Sequence, residues 1–162
     1  MSSGEKMGVG CEKSEVGSRK VWFWSLALLL VLSFSCSSEQ SENAKVQERL
    51  SMTELQQFSS GKKIYQQRCQ NCHMENGLGL GTLIPPLKDS DYLFENTADA
   101  IRSIKYGLKG PIVVNGTPYN QPMPANPNLT NIEILELLIY ITNAWDNPGT
   151  EIELSDVESV FN

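Results

Sequence analysis

The chain has a single histidine among its 162 residues, so no site that needs two histidines can be built within it. Cysteine is nearly as sparse. Of four, Cys11 and Cys36 lie in or at the edge of an N-terminal apolar segment, which leaves only Cys69 and Cys72 for the rest of the chain. A zinc site around that pair would lack its remaining ligands. Aromatic residues make up only 8%, and neither a repeat period nor a collagen-like composition is present, so the class is globular. The apolar run at the N-terminus falls short of the roughly twenty residues a transmembrane helix comfortably uses.

What is present is concentrated in five residues. Cys69-Gln70-Asn71-Cys72-His73 is a CxxCH pentapeptide that contains the only histidine. On a helix this spacing brings both thiols and the imidazole near one face, so two thioether bonds and one iron bond can hold one haem. The same CxxC spacing serves redox dithiols and half zinc sites. A dithiol enzyme would show a surrounding βαβ pattern, which this chain lacks. The motif therefore reads as covalent attachment of one c-type haem with its iron.

The N-terminus reads as an export signal. Arg19-Lys20 leads into the apolar run Val21 to Leu32, the length of a signal-peptide hydrophobic region. Ser33-Phe34-Ser35-Cys36 follows, where a lipoprotein signal would be cut to leave Cys36 as a lipid-carrying first residue. The aliphatic residue usual three places before such a cysteine is replaced by Ser33, and the same residues satisfy ordinary signal cleavage. An uncleaved anchor is the third alternative. All three put the remainder outside the cytoplasm, on the periplasmic side of a bacterial membrane. Residues 1–35 hold 4 of the 13 Lys+Arg and 3 of the 19 Asp+Glu, so the rest carries 9 against 16, a formal charge of −7. Nucleic acid is excluded as a natural partner. Lys62, Lys63, Lys88, Lys105 and Lys109 either gather at a docking surface or are dispersed solvated side chains.

Four segments follow: a signal peptide at 1–35, a lipid-anchor cysteine and flexible tether at 36–58, a haem domain at 59–147, and an acidic C-terminal tail at 148–162. Within the tether, Val46 to Phe58 is a candidate for partial helix. Lys62 to Cys69 has helical spacing and delivers the haem cysteines. Gly77-Leu78-Gly79-Leu80-Gly81 must be loop, continued in extended form by Pro85-Pro86-Leu87. Asp91 to Phe94 fits a turn of helix. Thr97 is placed to cap a helix from Ala98 to Tyr106 that Gly107 stops, with Ile101 and Ile104 inward. Asn115-Gly116 is the signal of a tight hairpin between Ile112-Val113-Val114 and Thr117-Pro118-Tyr119. Thr130-Asn131-Ile132-Glu133 is a capping box opening an amphipathic helix that runs to about Asn147. Ser155 to Glu158 fits one short capped helix.

Haem iron takes two axial ligands beyond its porphyrin, and His73 beside Cys72 supplies the proximal one. The other position is open to methionine, lysine, asparagine, water or nothing. Met74 adjoins His73 on the wrong side of the ring, Met52 belongs to the tether, and Met1 and Met7 leave with the signal. That points to Met123, on the proline-bracketed loop Pro122-Met123-Pro124, with apolar filler as the alternative use of this residue. Tyr92, Phe94, Tyr106, Tyr119 and Trp145 are unranked candidates for lining the pocket.

Gly61-Lys62-Lys63-Ile64-Tyr65 before the CxxCH motif, Pro85-x-Leu87, Met123-Pro124 and Leu138-Ile139-Tyr140-Ile141 together resemble a class I bacterial cytochrome c over about Ser59 to Asn147. The resemblance implies an all-α cytochrome c fold wrapping one covalently attached haem, with a small hairpin before the methionine loop. It implies that Gly61, Tyr65 and Tyr140 sit where the N- and C-terminal helices cross. It also implies that the Pro85 carbonyl accepts the ring N–H of the proximal histidine, and that Leu87 packs on the haem. The hairpin and Trp145-Asp146-Asn147 are similar to a branch often fused to periplasmic dehydrogenases and nitrite reductases, in which glycine usually stands at the position of Asp146. No catalytic domain accompanies it here, so such an enzyme would be a separate partner.

With His73 and Met123 both bound, no position remains for substrate, and the expected function is single-electron transfer between redox protein partners. A fixed electron-relay subunit of an oxidoreductase complex is the alternative. A five-coordinate gas sensor or a peroxidase would need an open iron, and the peroxidase would also lack a distal histidine.

Overall fold

Helix α1 (Met52–Arg68) opens on a capping box in which the Ser51 hydroxyl accepts from the Glu54 amide and the Glu54 carboxylate accepts from the Ser51 amide. The structure is a computed structural model and describes residues 44–162; the expected signal peptide, Cys11, Cys36, Met1 and Met7 lie outside the described residues. The helix thus starts ten residues before Lys62, and much of the expected tether is folded. Residues 44–49 are helical too, Val46 is only 3% exposed, and Leu50 and Phe58 pack on the core. The cause is the Ser51-x-x-Glu54 box, which supplies a helix start within a stretch whose composition reads as linker.

At Cys69 α1 gives way to the single turn α2 (Gln70–His73), which ends at Met74 with φ of 64°. The chain then loops through Gly77 to Pro86 into α3 (Asp91–Glu95) and α4 (Thr97–Tyr106). Thr97 is the first helical residue of α4 rather than its cap. Asn96 holds the cap position, and the Thr97 hydroxyl donates back to the carbonyls of Leu93 and Phe94. Gly107 ends α4 at φ 77°, in the left-handed region where glycine carries no steric cost.

Strands β1 (Ile112–Val114) and β2 (Thr117–Tyr119) pair antiparallel with Val114 opposite Thr117. Asn115 and Gly116 both have positive φ, as a two-residue turn matched to strand twist requires. Asp91 and Asn115 tie this hairpin to α3, each side chain accepting from the other's amide.

Helix α5 (Asn131–Asn143) begins at the Thr130–Glu133 capping box. It departs from the amphipathic expectation, because Ile134, Leu135 and every residue from Leu137 to Asn143 are buried. Helix α1 covers one side of it and α6 (Leu154–Phe161) another, while Leu137 and Ile141 face a cavity. Its two buried polar side chains are satisfied locally, Thr142 donating to Leu138 and Asn143 to Ile139. The expected tail is likewise part of the core. Val157 is fully buried, and Phe161 meets Tyr106 edge-on at 5.6 Å. Helix α6 starts one residue before the expected Ser155, with Glu153 at its cap position boxed with Asp156. The described fold is mostly helical with one two-stranded sheet.

The α1–α5 crossing determines where everything else goes. A Cβ built on Gly61 would lie 1.9 Å from the carbonyl oxygen of Glu136 and 2.9 Å from the Cβ of Tyr140. Around that contact the rings of Phe58, Tyr65, Tyr140 and Trp145 pack with centroids 5.0–5.5 Å apart. Tyr65 also donates to the Met74 carbonyl, linking the crossing to the end of α2. Gly61→Ala should therefore cost about 2–3 kcal/mol of overpacking, read as a lower denaturant midpoint; a midpoint equal to that of the unaltered protein would contradict this crossing.

Candidate haem-binding site

The last turn of α1 leads into Cys69, and α2 carries Cys72 and His73, held by amide bonds from Cys72 and His73 back to the Cys69 carbonyl. Both thiols are free, and with His73 they line one wall of a cavity of about 970 Å³, its open mouth included. Burial, and then the neighbouring Cys72, push the Cys69 thiol up to about 12, so it is held as a neutral thiol.

His73 is almost fully buried, and its Nδ1 lies 3.1 Å from the Pro85 carbonyl oxygen. A carbonyl can only accept, so Nδ1 carries the proton and Nε2 keeps its lone pair. Burial lowers the His73 pKa, partly offset by the Pro85 carbonyl, and the imidazole stays neutral as a metal ligand must.

The loop that brings Pro85 there depends on two glycines. Gly77 has φ 68°, and a Cβ on it would strike the indole of Trp145 at 2.5 Å. Its carbonyl accepts from both Leu87 and Lys88. Gly79 has φ 66°, and a Cβ there would meet the carbonyl oxygens of Ile84 at 2.3 Å and Pro85 at 2.6 Å. The Gly79 amide donates to the His73 carbonyl, so the loop is bonded to the motif it serves.

Pro85 and Leu87 both line the cavity, as does Met123. The backbone of Met123 is fixed by two hydrogen bonds with Leu108, at 2.9 and 3.0 Å. Gly107 permits this approach, since a Cβ on it would lie 2.6 Å from the Met123 carbonyl oxygen. Met74 instead faces a separate groove with Phe58, Gln66 and Trp145, and Met52 is 83% exposed. Of the aromatic candidates, Tyr92 and Tyr119 line the cavity. Trp145 belongs to the helix crossing and donates to the Glu75 carbonyl, Tyr106 pairs with Phe161, and Phe94 packs on the core. None of the five lysines lines the cavity, and Lys105 donates to the Leu129 carbonyl. The remaining walls are mostly apolar, from Ile84, Leu93, Ile104, Ile112, Val114, Leu137 and Ile141 among others, with Ser90, Ser103 and Gln121 as polar exceptions. Among the described residues no group of three or more His, Cys, Asp or Glu converges to hold a metal by itself.

The donor set fits a haem: two free thiols and a neutral imidazole on one wall, a thioether on the lining, and an apolar interior. Residues 58–145 match the family model for cytochrome c.

The chain belongs to the cytochrome c family.

Over 93 residues it is 37% identical to a cytochrome c-552 of Thermus thermophilus, covering 54% of this chain and 69% of that protein. The same identity over 93 residues relates it to a second cytochrome c-552 of Thermus thermophilus, of which 61% is covered. It is also 26% identical over 109 residues to the cytochrome c subunit of a quinone alcohol dehydrogenase from Gluconobacter oxydans, covering 64% of this chain and 22% of that subunit. As a cytochrome c it carries one covalently attached haem c with iron, and its function is electron transfer.

Sequence reasoning missed Asn147 as a working residue. It is wholly buried, and its amide bonds the loop that carries Pro85 to the end of α5. Its place in the Trp145-Asp146-Asn147 motif was the available signal. Gly79→Ala should displace the Pro85 carbonyl and weaken its bond to His73. The expected readouts are a thermal midpoint lower by several degrees, from about 1–3 kcal/mol of strain, and a shifted His73 ring N–H resonance. Unaltered values of both would show that the loop does not depend on this glycine.

Proposed function

We propose that this cytochrome c is a single-electron carrier on the periplasmic side of a bacterial membrane, with His73 and Met123 as its axial ligands and a lipid on Cys36 as its anchor. The observation that carries the ligand assignment is the cavity itself, which has the neutral His73 on one wall and the backbone-pinned Met123 also on its lining, while Met74 and Met52 lie elsewhere. Bound haem supplies one-electron redox chemistry. The chain's part is to saturate the iron, so that no position remains for substrate, and to surround it with apolar side chains. A thioether ligand and a dry pocket both favour the ferrous form, so the midpoint potential lies on the high side for haem proteins.

Docking is weak and transient, because a carrier must release its partner at each turnover. Leu78, Leu80 and Leu83 on the loop after the haem motif are each at least half exposed and offer an apolar docking contact, next in sequence to Ile84 and Pro85 of the cavity lining. The anchor keeps this site close to the membrane. The packed part of the chain begins by residue 44, and the eight steps from Cys36 to that point span under about 30 Å even when fully extended. The likeness to a quinone alcohol dehydrogenase subunit favours a second reading, in which the same domain is a fixed relay in an oxidoreductase complex. Co-purification with a partner at modest salt separates the two.

Met123→Ala is expected to keep its covalent haem while its iron gains carbon monoxide binding; unchanged ligation would overturn the assignment. Cys36→Ser is expected to move the protein from the membrane fraction to the soluble one, whereas persistence in the membrane would favour an uncleaved helix or a bound partner.

A further inference from the structure

Asn147 bonds in three directions. Its Nδ2 donates to the carbonyls of Ile141 at 2.7 Å and Leu87 at 3.2 Å, and its Oδ1 accepts from the Asp89 amide at 2.8 Å. The loop from Pro85 to Asp89 is thereby held at two places. Gly77 accepts from the Leu87 and Lys88 amides, and Asn147 takes the Leu87 carbonyl and the Asp89 amide. Pro85, two residues before Leu87, presents its carbonyl to His73.

Asn147 is itself held from outside the haem domain proper. Arg49 Nη1 donates to the Asn147 carbonyl at 2.9 Å, and Nη2 donates to the Asn143 carbonyl at 3.2 Å, at the end of α5. Arg49 belongs to the short segment before α1, where Val46 is buried and Lys45 pairs with Asp146. Trp145 and Asp146 have φ of 59° and 63°, a left-handed conformation disfavoured for the bulky Trp145, so this corner of the chain is fixed by its surroundings.

We propose that residues 44–50 act as a strap that tunes the haem, with Arg49 and Asn147 as positioning residues for the proximal histidine. The path runs from Arg49 to Asn147, on to the Leu87–Asp89 backbone, then to the Pro85 carbonyl and the His73 ring N–H. A firm N–H bond raises the basicity of the imidazole and stabilises ferric iron. Slackening the strap therefore raises the midpoint potential. Because this segment lies between Cys36 and the domain, a pull or contact on it changes the haem that the partner meets. The inference rests on His73 being the axial ligand.

The test compares midpoint potentials of the full-length holoprotein with those of Asn147→Ala, Arg49→Ala and Lys45→Ala. Asn147→Ala changes no charge and is expected to raise the potential. Arg49→Ala removes a cation, which by charge alone favours ferric iron and lowers the potential. Positioning predicts that it lies above Lys45→Ala, which removes a neighbouring cation and its exposed ion pair with Asp146, worth little in stability, but neither Arg49 bond to the Asn143 and Asn147 carbonyls. If Asn147→Ala fails to assemble, the Arg49 and Lys45 pair still decides the matter.

Hydrogen exchange at the Asp89 amide should quicken about tenfold in Asn147→Ala, as expected for one lost buried hydrogen bond, and should also quicken in Arg49→Ala. Lower thermal stability with unchanged potentials, or an Arg49→Ala potential equal to or below that of Lys45→Ala, would overturn the strap. The His73 ligation reading fails separately, if the oxidised, unaltered holoprotein shows no hyperfine-shifted resonances from the His73 ring.

Discussion

Where Gly61 of α1 meets Glu136 and Tyr140 of α5, two helix backbones touch with no side chain between them. Only glycine allows that approach, and the rest of the site inherits its geometry. From the crossing, the C-terminal end of α1 delivers Cys69, Cys72 and His73 to the cavity wall. The C-terminal end of α5 places Trp145 against Tyr65 and against Gly77 of the loop after the motif. Moving either helix by the width of a methyl group would displace the haem attachment points relative to the loop that must bond His73.

Both parts of the cavity lining are fixed through backbone hydrogen bonds. On the proximal side the control is backbone hydrogen bonding: Gly79 to His73, Leu87 and Lys88 to Gly77, and the Pro85 carbonyl to the imidazole. On the side of Met123, the residue is held by its two bonds to Leu108, with Gly107 and the hairpin nearby. Tyr119 of the hairpin reaches the Gly81 carbonyl at 3.4 Å and so joins the two loops. A flexible methionine side chain is a poor device for defining geometry, and its fixed backbone compensates for that.

The CxxCH motif was legible because covalent chemistry demands a fixed spacing, and the α5 start and the Asn-Gly hairpin because their signals are local. The elements misjudged are those whose form depends on distant partners. Composition made residues 44–58 look like linker with a partial helix over Val46 to Phe58; the helix is present, but its packing was not legible, since Val46, Leu50 and Phe58 find apolar partners that a sparse local pattern does not reveal. The buried polar faces of α5 are similarly invisible, since Thr142 and Asn143 look solvent-facing until α1, α6 and the cavity enclose them. Glycine, usual in the similar branch at the position of Asp146, suits a φ of 63°, a left-handed conformation that aspartate also tolerates.

The central claim is an iron saturated by His73 and Met123 in a protein built to pass electrons. The most direct measurement is the optical spectrum of the unaltered holoprotein in both oxidation states, extended into the near infrared and repeated under carbon monoxide. A sulfur-to-iron charge-transfer band in the oxidised form, with no change in the reduced spectrum on adding carbon monoxide, is the predicted result. Absence of that band together with ready carbon monoxide binding would contradict it, and would show an iron open to ligands in the resting protein.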